Sequence, residues 1–165
     1  RMTLMMGRLQ VEIMQLGRGH TKGDTVVWLP QERILFSGDL VEYDATPYTG
    51  DAYLGDWPAT LDAIAALEPR QLVPGRGAAL KTPAAVRAGL DGTRAFVTAL
   101  FESVRAGAAA GRDLRTVYRE TYAALKPRGL CHMGGVSASA SQKSRGRGAM
   151  PAEGATSPHP RPALC

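Results

Sequence analysis

Hydrophobic and polar positions change their period along this chain, and the changes mark its elements. Met2 to Met6 and Leu9 to Leu16 read as two strands joined at Gly7-Arg8, with Val11 and Ile13 set against Glu12. That alternation is the period of a half-buried strand, and a two-residue turn containing glycine fits a hairpin. Thr25 to Leu29 is β-branched and aromatic, as a well-buried strand is. Pro30 to Arg33 makes the next turn and Ile34 to Gly38 returns. The pattern predicts an antiparallel meander of four strands.

Asp44 to Gly55, with Pro47, Gly50 and two tyrosines, reads as a long loop, and loops of that length are more often functional than not. The period then becomes helical. Asp56 is expected to cap a helix with Pro58 in its first turn, and Trp57, Leu61, Ile64 and Leu67 form its apolar stripe. Pro69 ends it. Gln71 to Val73 is a short strand, with Pro74-Gly75-Arg76-Gly77 as its exit turn. Thr82-Pro83 opens a helix running to about Ala110, in which Gly89 and Gly92 each cost roughly 1 kcal/mol relative to alanine. Asp113 caps a last helix, with Leu114, Val117, Tyr118, Tyr122 and Leu125 expected inward.

Composition divides the chain in two. Residues 1–125 hold 14 Lys+Arg and 14 Asp+Glu, so the net charge of +5 lies beyond them. A balanced body offers no electrostatic footprint for a phosphate backbone, so nucleic acid is not an expected partner. From Lys126 onward there is no Phe, Trp, Tyr or Ile. Such a segment buries too little apolar surface to offset its ordering entropy, so 1–127 is expected to be the folded domain and 128–165 a disordered basic tail. The abrupt change also fits a shifted reading frame or an unrelated terminus. Cys131 and Cys165 both lie in the tail, so no disulfide framework is expected in the body. No apolar run is long enough to cross a bilayer, and Arg1-Met2-Thr3-Leu4 has no signal-peptide pattern. No membrane partner is expected; the compartment is left open, with the cytoplasm favoured.

Two residues carry most of the candidate chemistry. His20 sits in the glycine-flanked turn Gly17-Arg18-Gly19-His20-Thr21-Lys22-Gly23-Asp24, and Asp39 ends the apolar strand Ile34-Leu35-Phe36-Ser37-Gly38. The hairpin between them should bring both to one edge of the sheet, with side chains within about 7 Å, the reach of one or two metal ions. Histidine and carboxylate at adjacent loop ends are what a hydrolytic metal site is made of. The plainer alternatives are an exposed loop histidine and a strand-end aspartate accepting backbone hydrogen bonds. Asp24 reads as a turn residue bonded to nearby amides. Tyr43, Tyr48 and Tyr53 line a pocket or simply pack. His132 and His159 lie in the tail and are poor ligand candidates.

The ordered motifs G-H-T-x-G-D, L-F-S-G-D, D-W-P-A-T-L and V-P-G-R-G resemble the second half of a metallo-β-lactamase-fold hydrolase over roughly residues 9–80. The resemblance implies the C-terminal part of an αββα sandwich, an α/β (α+β) fold of antiparallel strands followed by helices. It implies zinc, one or two ions in a complete member, and hydrolysis of a small-molecule thioester, ester or amide by a metal-bound hydroxide. His20 would complete the trio that holds the first metal. Asp39 would be ligand or bridge and the catalytic carboxylate.

Departures from the family pattern shape the expectation. The family's H-x-H-x-D-H motif is absent, so the chain is expected to be incomplete as an enzyme. The alternative is a non-catalytic half-domain that needs an N-terminal complement and self-associates through an uncovered sheet face. Classical zinc β-lactamases mostly carry cysteine where Asp39 stands, which points to thioesterase, glyoxalase-like or other branches. Arg76 replaces the histidine of P-G-H-G. Arginine has no lone pair for a metal, so Arg76 either marks loss of the second ion or is a fixed cation binding an anionic substrate. It is expected beside His20 and Asp39.

Overall fold

The computed structural model describes residues 1–126. The expectations for the tail, including Cys131, His132, His159 and Cys165, lie outside the described residues. Five strands, β1 (Met2–Met6), β2 (Leu9–Met14), β3 (Val26–Leu29), β4 (Ile34–Glu42) and β5 (Gln71–Arg76), form one sheet in sequence order. The first four pair antiparallel, as the alternation predicts, and β5 runs parallel to β4. Helix α1 (Trp57–Ala65) makes the crossover between these two parallel strands; α2 (Pro83–Ala109) and α3 (Leu114–Leu125) follow. The architecture is α+β, with one sheet and its helices.

Burial along β4 shows which face the helices cover. Leu35 and Ser37 are buried, whereas Phe36 between them and Gly38 after them are exposed. Helices α1 and α2 lie against β4, α2 reaches β5, and α3 packs on α2. The core is built from Leu35, Leu40, Val41, Trp57, Leu61, Ile64 and Leu72, all at most 1 % exposed. No residue of β1 is buried, and its Met2, Leu4, Met5 and Met6 are exposed.

Several expected details change. β4 continues past Gly38 to Glu42, because the left-handed Gly38 (φ 52°) and a shift in the pairing with β5 keep the strand going rather than ending it. β5 likewise runs through to Arg76. Asp56 does not cap α1: its backbone is helical, its side chain makes no cap bond, and its carboxylate pairs with Arg18 instead. The turn before it already winds as a helix, with Trp57 N–H donating to Tyr53 O at 3.0 Å. Thr82 and Asp113 do cap α2 and α3, accepting from Ala85 N (3.2 Å) and Thr116 N (3.1 Å). Leu114 is 83 % exposed, not inward. Tyr118 and Tyr122 stack on each other at the surface, with centroids 6.4 Å apart. Gly89 has a packing reason: a Cβ there would lie 2.5 Å from Leu80.

Candidate active site

The His20 turn is fixed from three sides. Asp24 accepts from Thr21 N at 2.9 and 3.0 Å and from Thr21 Oγ1 at 2.7 Å, closing the turn as an aspartate in that position does. Thr60 Oγ1 of α1 donates to Arg18 O at 2.7 Å, and Tyr53 N donates to Gly19 O at 2.7 Å. A Cβ on Gly19 would lie 2.6 Å from Leu40 and 2.9 Å from the Trp57 ring. Glycine at that position therefore lets the turn press onto the core, which places the next residue, His20, over it. The His20 imidazole is 15 % exposed. It is fenced by Tyr48, with ring centroids 6.0 Å apart, and by Trp57 at 6.1 Å, edge to face. Trp57 is itself anchored by Nε1 donating to Leu40 O at 3.0 Å. Of the three loop tyrosines, Tyr48 joins the site, Tyr53 lies under the Arg18 guanidinium, and Tyr43 is placed beside α2.

Asp39 stands directly across. His20 Nε2 lies 3.8 Å from Asp39 Oδ2, well inside the expected separation, and the Asp39 side chain is 41 % exposed. That gap is too wide for a hydrogen bond. It is close to the roughly 3.3 Å between two ligands that each sit about 2 Å from a shared tetrahedral zinc. Gly75 of β5 makes the room for Asp39, since a Cβ there would collide with its carboxylate.

Arg76 follows Gly75, and the side-chain contact it makes is with Glu42. Its Nε lies 3.9 Å from Glu42 Oε1, with the guanidinium half exposed and the Glu42 carboxyl buried. Glu42 is the residue that reading the sequence missed. The strand was expected to stop at Gly38, yet Leu40-Val41 prolongs the apolar run, and a carboxylate closing such a run is poorly solvated. Glu42 is 4 % exposed; among the described residues no N–H or hydroxyl donates to its carboxyl oxygens, and the side chain it meets besides Arg76 is the Asp39 carboxyl, with which its protonated form shares a hydrogen bond. Its backbone is held by Thr93 of α2, whose hydroxyl donates to Glu42 O at 3.1 Å and accepts from Glu42 N at 3.2 Å. Burial pushes the Glu42 carboxyl up to about 7; the Arg76 guanidinium opposes the shift and the neighbouring Asp39 carboxylate adds to it. Asp39, Glu42 and Arg76 thus gather at the C-terminal ends of β4 and β5, and His20 faces Asp39 from the β2–β3 turn.

His20 and Asp39 supply two donors, and Arg76 supplies none. No group of three or more His, Cys, Asp or Glu placed to hold a metal occurs among the described residues. A zinc site needs at least three protein ligands, so the described residues do not make one by themselves.

Comparison with known proteins gives the site its context. The family model described as the metallo-beta-lactamase superfamily matches residues 6–76. The metallo-beta-lactamase type 2 of Bacteroides fragilis is 37 % identical over 81 residues, which is 46 % of this chain and 32 % of that protein. The corresponding protein of Bacillus cereus is 38 % identical over 64 residues, 37 % of this chain and 25 % of that one. A metallo-beta-lactamase structure from Pontibacter korlensis is 30 % identical with a TM-score of 0.49, covering 55 % of this chain and 44 % of that chain. The chain spans about a third or less of the length of these two curated relatives. Both are named as β-lactamases, whereas Asp39 pointed to a thioesterase or glyoxalase-like branch; the likeness carries the superfamily and not the branch.

Proposed function

The chain belongs to the metallo-β-lactamase superfamily, and from that premise we propose that it contributes one side of a metal-dependent hydrolase centre. The observation that carries this reading is the 3.8 Å approach of His20 Nε2 to Asp39 Oδ2 at the strand ends. His20 and Asp39 are two of the ligands, and the remaining ones come from outside the described residues. A zinc ion held by His20 and Asp39 together with those further ligands would supply an activated water for hydrolysis. Asp39, partly exposed, is positioned to hold a ligand or accept a proton. The Tyr48 and Trp57 rings restrict the imidazole and keep water from its flanks. The half-exposed Arg76 guanidinium offers a bidentate partner to a carboxylate or phosphate on the substrate. The substrate is a thioester, an ester or an amide, the β-lactam amide being the one that the relatives' names supply.

The alternative is a half-domain with no catalysis of its own. The exposed methionines of β1 and the exposed Phe36 favour it, since an uncovered apolar sheet face calls for a complement or a second copy. One experiment separates the two. The full chain is mixed with the N-terminal segment of a relative and zinc, then assayed with a chromogenic β-lactam and a chromogenic thioester. Zinc-dependent turnover lost in His20→Ala supports the hydrolase. A mixture that associates but turns over neither substrate supports the half-domain.

A further inference from the structure

A cavity of about 450 Å³ opens at the N-terminal ends of β4 and β5, the end of the sheet away from His20 and Asp39. Four arginines line it: Arg33 and Arg70, just before β4 and β5, and Arg87 and Arg94 of α2. Arg87, Leu90 and Arg94 are spaced by three and then four residues, so they share one stripe of the helix. We propose that this cavity binds a phosphate monoester carried on an apolar body, with the phosphate held by the Arg70 and Arg87 guanidiniums. The inference does not depend on the hydrolase reading.

Two of the four guanidiniums are already engaged. Arg33 Nε donates to Glu68 O at 3.0 Å and Arg33 Nη2 to Glu68 Oε2 at 2.8 Å. Arg94 Nη1 donates to Pro58 O at 3.0 Å and Nη2 to Asp62 Oδ1 at 2.6 Å. These bonds build the frame of the cavity, and Arg70 N donating to Arg33 O at 2.8 Å ties its two strand entries together. Arg70 and Arg87 are exposed, and neither has an ion pair or a side-chain hydrogen bond among the described residues. Asp91, the other carboxylate of the wall, is also exposed and unpaired among the described residues. It stands four residues after Arg87, which is the weaker order for an ion pair on a helix. With Glu68 engaged by Arg33 and Asp62 by Arg94, Arg70 and Arg87 leave an excess of positive charge over Asp91.

The wall selects the kind of anion. A guanidinium fork matches phosphate or carboxylate oxygens in bidentate fashion. A carboxylate has two oxygens and fills one fork, whereas a phosphate monoester has three free oxygens and up to two charges, and serves both. The first turn of α2 lines the cavity at Pro83, so the positive end of that helix adds to the attraction. Pro69, Val86 and Leu90 are buried lining residues and form an apolar floor. An apolar body on the phosphate covers that floor, which inorganic phosphate would leave in water.

Phenyl phosphate titrated into the full chain at fixed pH and ionic strength, followed by backbone amide and arginine Nε NMR, tests this. Saturable shifts are expected at Arg70, Arg87, Leu90 and Asp91, and none at His20. Arg70→Ala and Arg87→Ala, both at exposed positions, should each weaken binding at least fivefold with the rest of the amide spectrum unchanged. Asp91→Asn should tighten it at least twofold by removing the opposing charge. Inorganic phosphate and benzoate should each bind at least fivefold more weakly, and phenol should give no saturable shift. Inorganic phosphate binding as tightly would show an adventitious ion only, benzoate as tightly a carboxylate site, and phenol as tightly an apolar cleft. Each of these overturns the proposal, as do shifts centred on His20, no saturable shift with phenyl phosphate, or binding unchanged by any of the three substitutions.

Discussion

Replacing Glu42 with glutamine should stabilise the protein, and the gain should depend on pH in a definite sense. The folded-state carboxyl sits at about 7, against 4.5 as its ordinary value, chiefly because it is buried. Below pH 4.5 the folded and unfolded chains both carry the proton, and Glu42 costs nothing through ionisation. Between 4.5 and 7 the unfolded chain releases its proton while the folded one keeps it, so stability falls as pH rises. Above 7 the loss is complete. At about 1.4 kcal/mol for each tenfold change, the full loss is about 3 kcal/mol. Glutamine has nothing to titrate and keeps the shape. Urea denaturation of both proteins at pH 5 and pH 8 should therefore show the wild type losing about 2–3 kcal/mol relative to Glu42→Gln over that interval. A difference that stays flat within about 0.5 kcal/mol, or a wild type that gains relative stability with pH, would refute the reasoning. Either result would mean that Arg76 neutralises Glu42 in solution despite the 3.9 Å gap.

Other substitutions probe the supports of the site. Gly19→Ala should lower stability by about 1–3 kcal/mol, because the added Cβ lies within 3 Å of Leu40 and Trp57; a thermal melt unchanged from wild type would contradict that packing. Thr93→Val removes the hydroxyl that both donates to and accepts from the Glu42 backbone, and should cost about 1–3 kcal/mol in denaturant unfolding. Gly92→Ala, on open helix surface, should raise stability by up to about 1 kcal/mol, whereas Gly89→Ala should lower it through its contact with Leu80. In the mixture with a relative's N-terminal segment, Arg76→His should raise zinc content measured by atomic absorption. Unchanged content would place Arg76 outside the ligand position.

The parts of this molecule that were legible in the sequence are those where local pattern and tertiary demand agree. The β1–β4 meander follows from alternation and turn residues, and the caps at Thr82 and Asp113 follow from side-chain chemistry alone. The meeting of His20 with Asp39 followed from a single hairpin between two loop ends. Asp56 was misread because cap chemistry competes with ion pairing, and Arg18 arrives from a segment distant in sequence. The inward tyrosines of α3 were misread because period alone does not say whether another layer exists to bury them. Glu42 was missed because glycine usually ends a strand, and here a left-handed Gly38 carries it on. A buried charge is visible only once the elements around it are packed.

The account rests on His20 and Asp39 sharing one ion, and the imidazole nitrogens of the full chain report this directly. Zinc titrated into the nitrogen-15-labelled protein should shift the His20 Nε2 resonance saturably. Asp39→Asn should weaken that response at least tenfold while leaving the amide spectrum folded. A response confined to His132 and His159, or a His20 response unchanged by Asp39→Asn, would contradict the assignment.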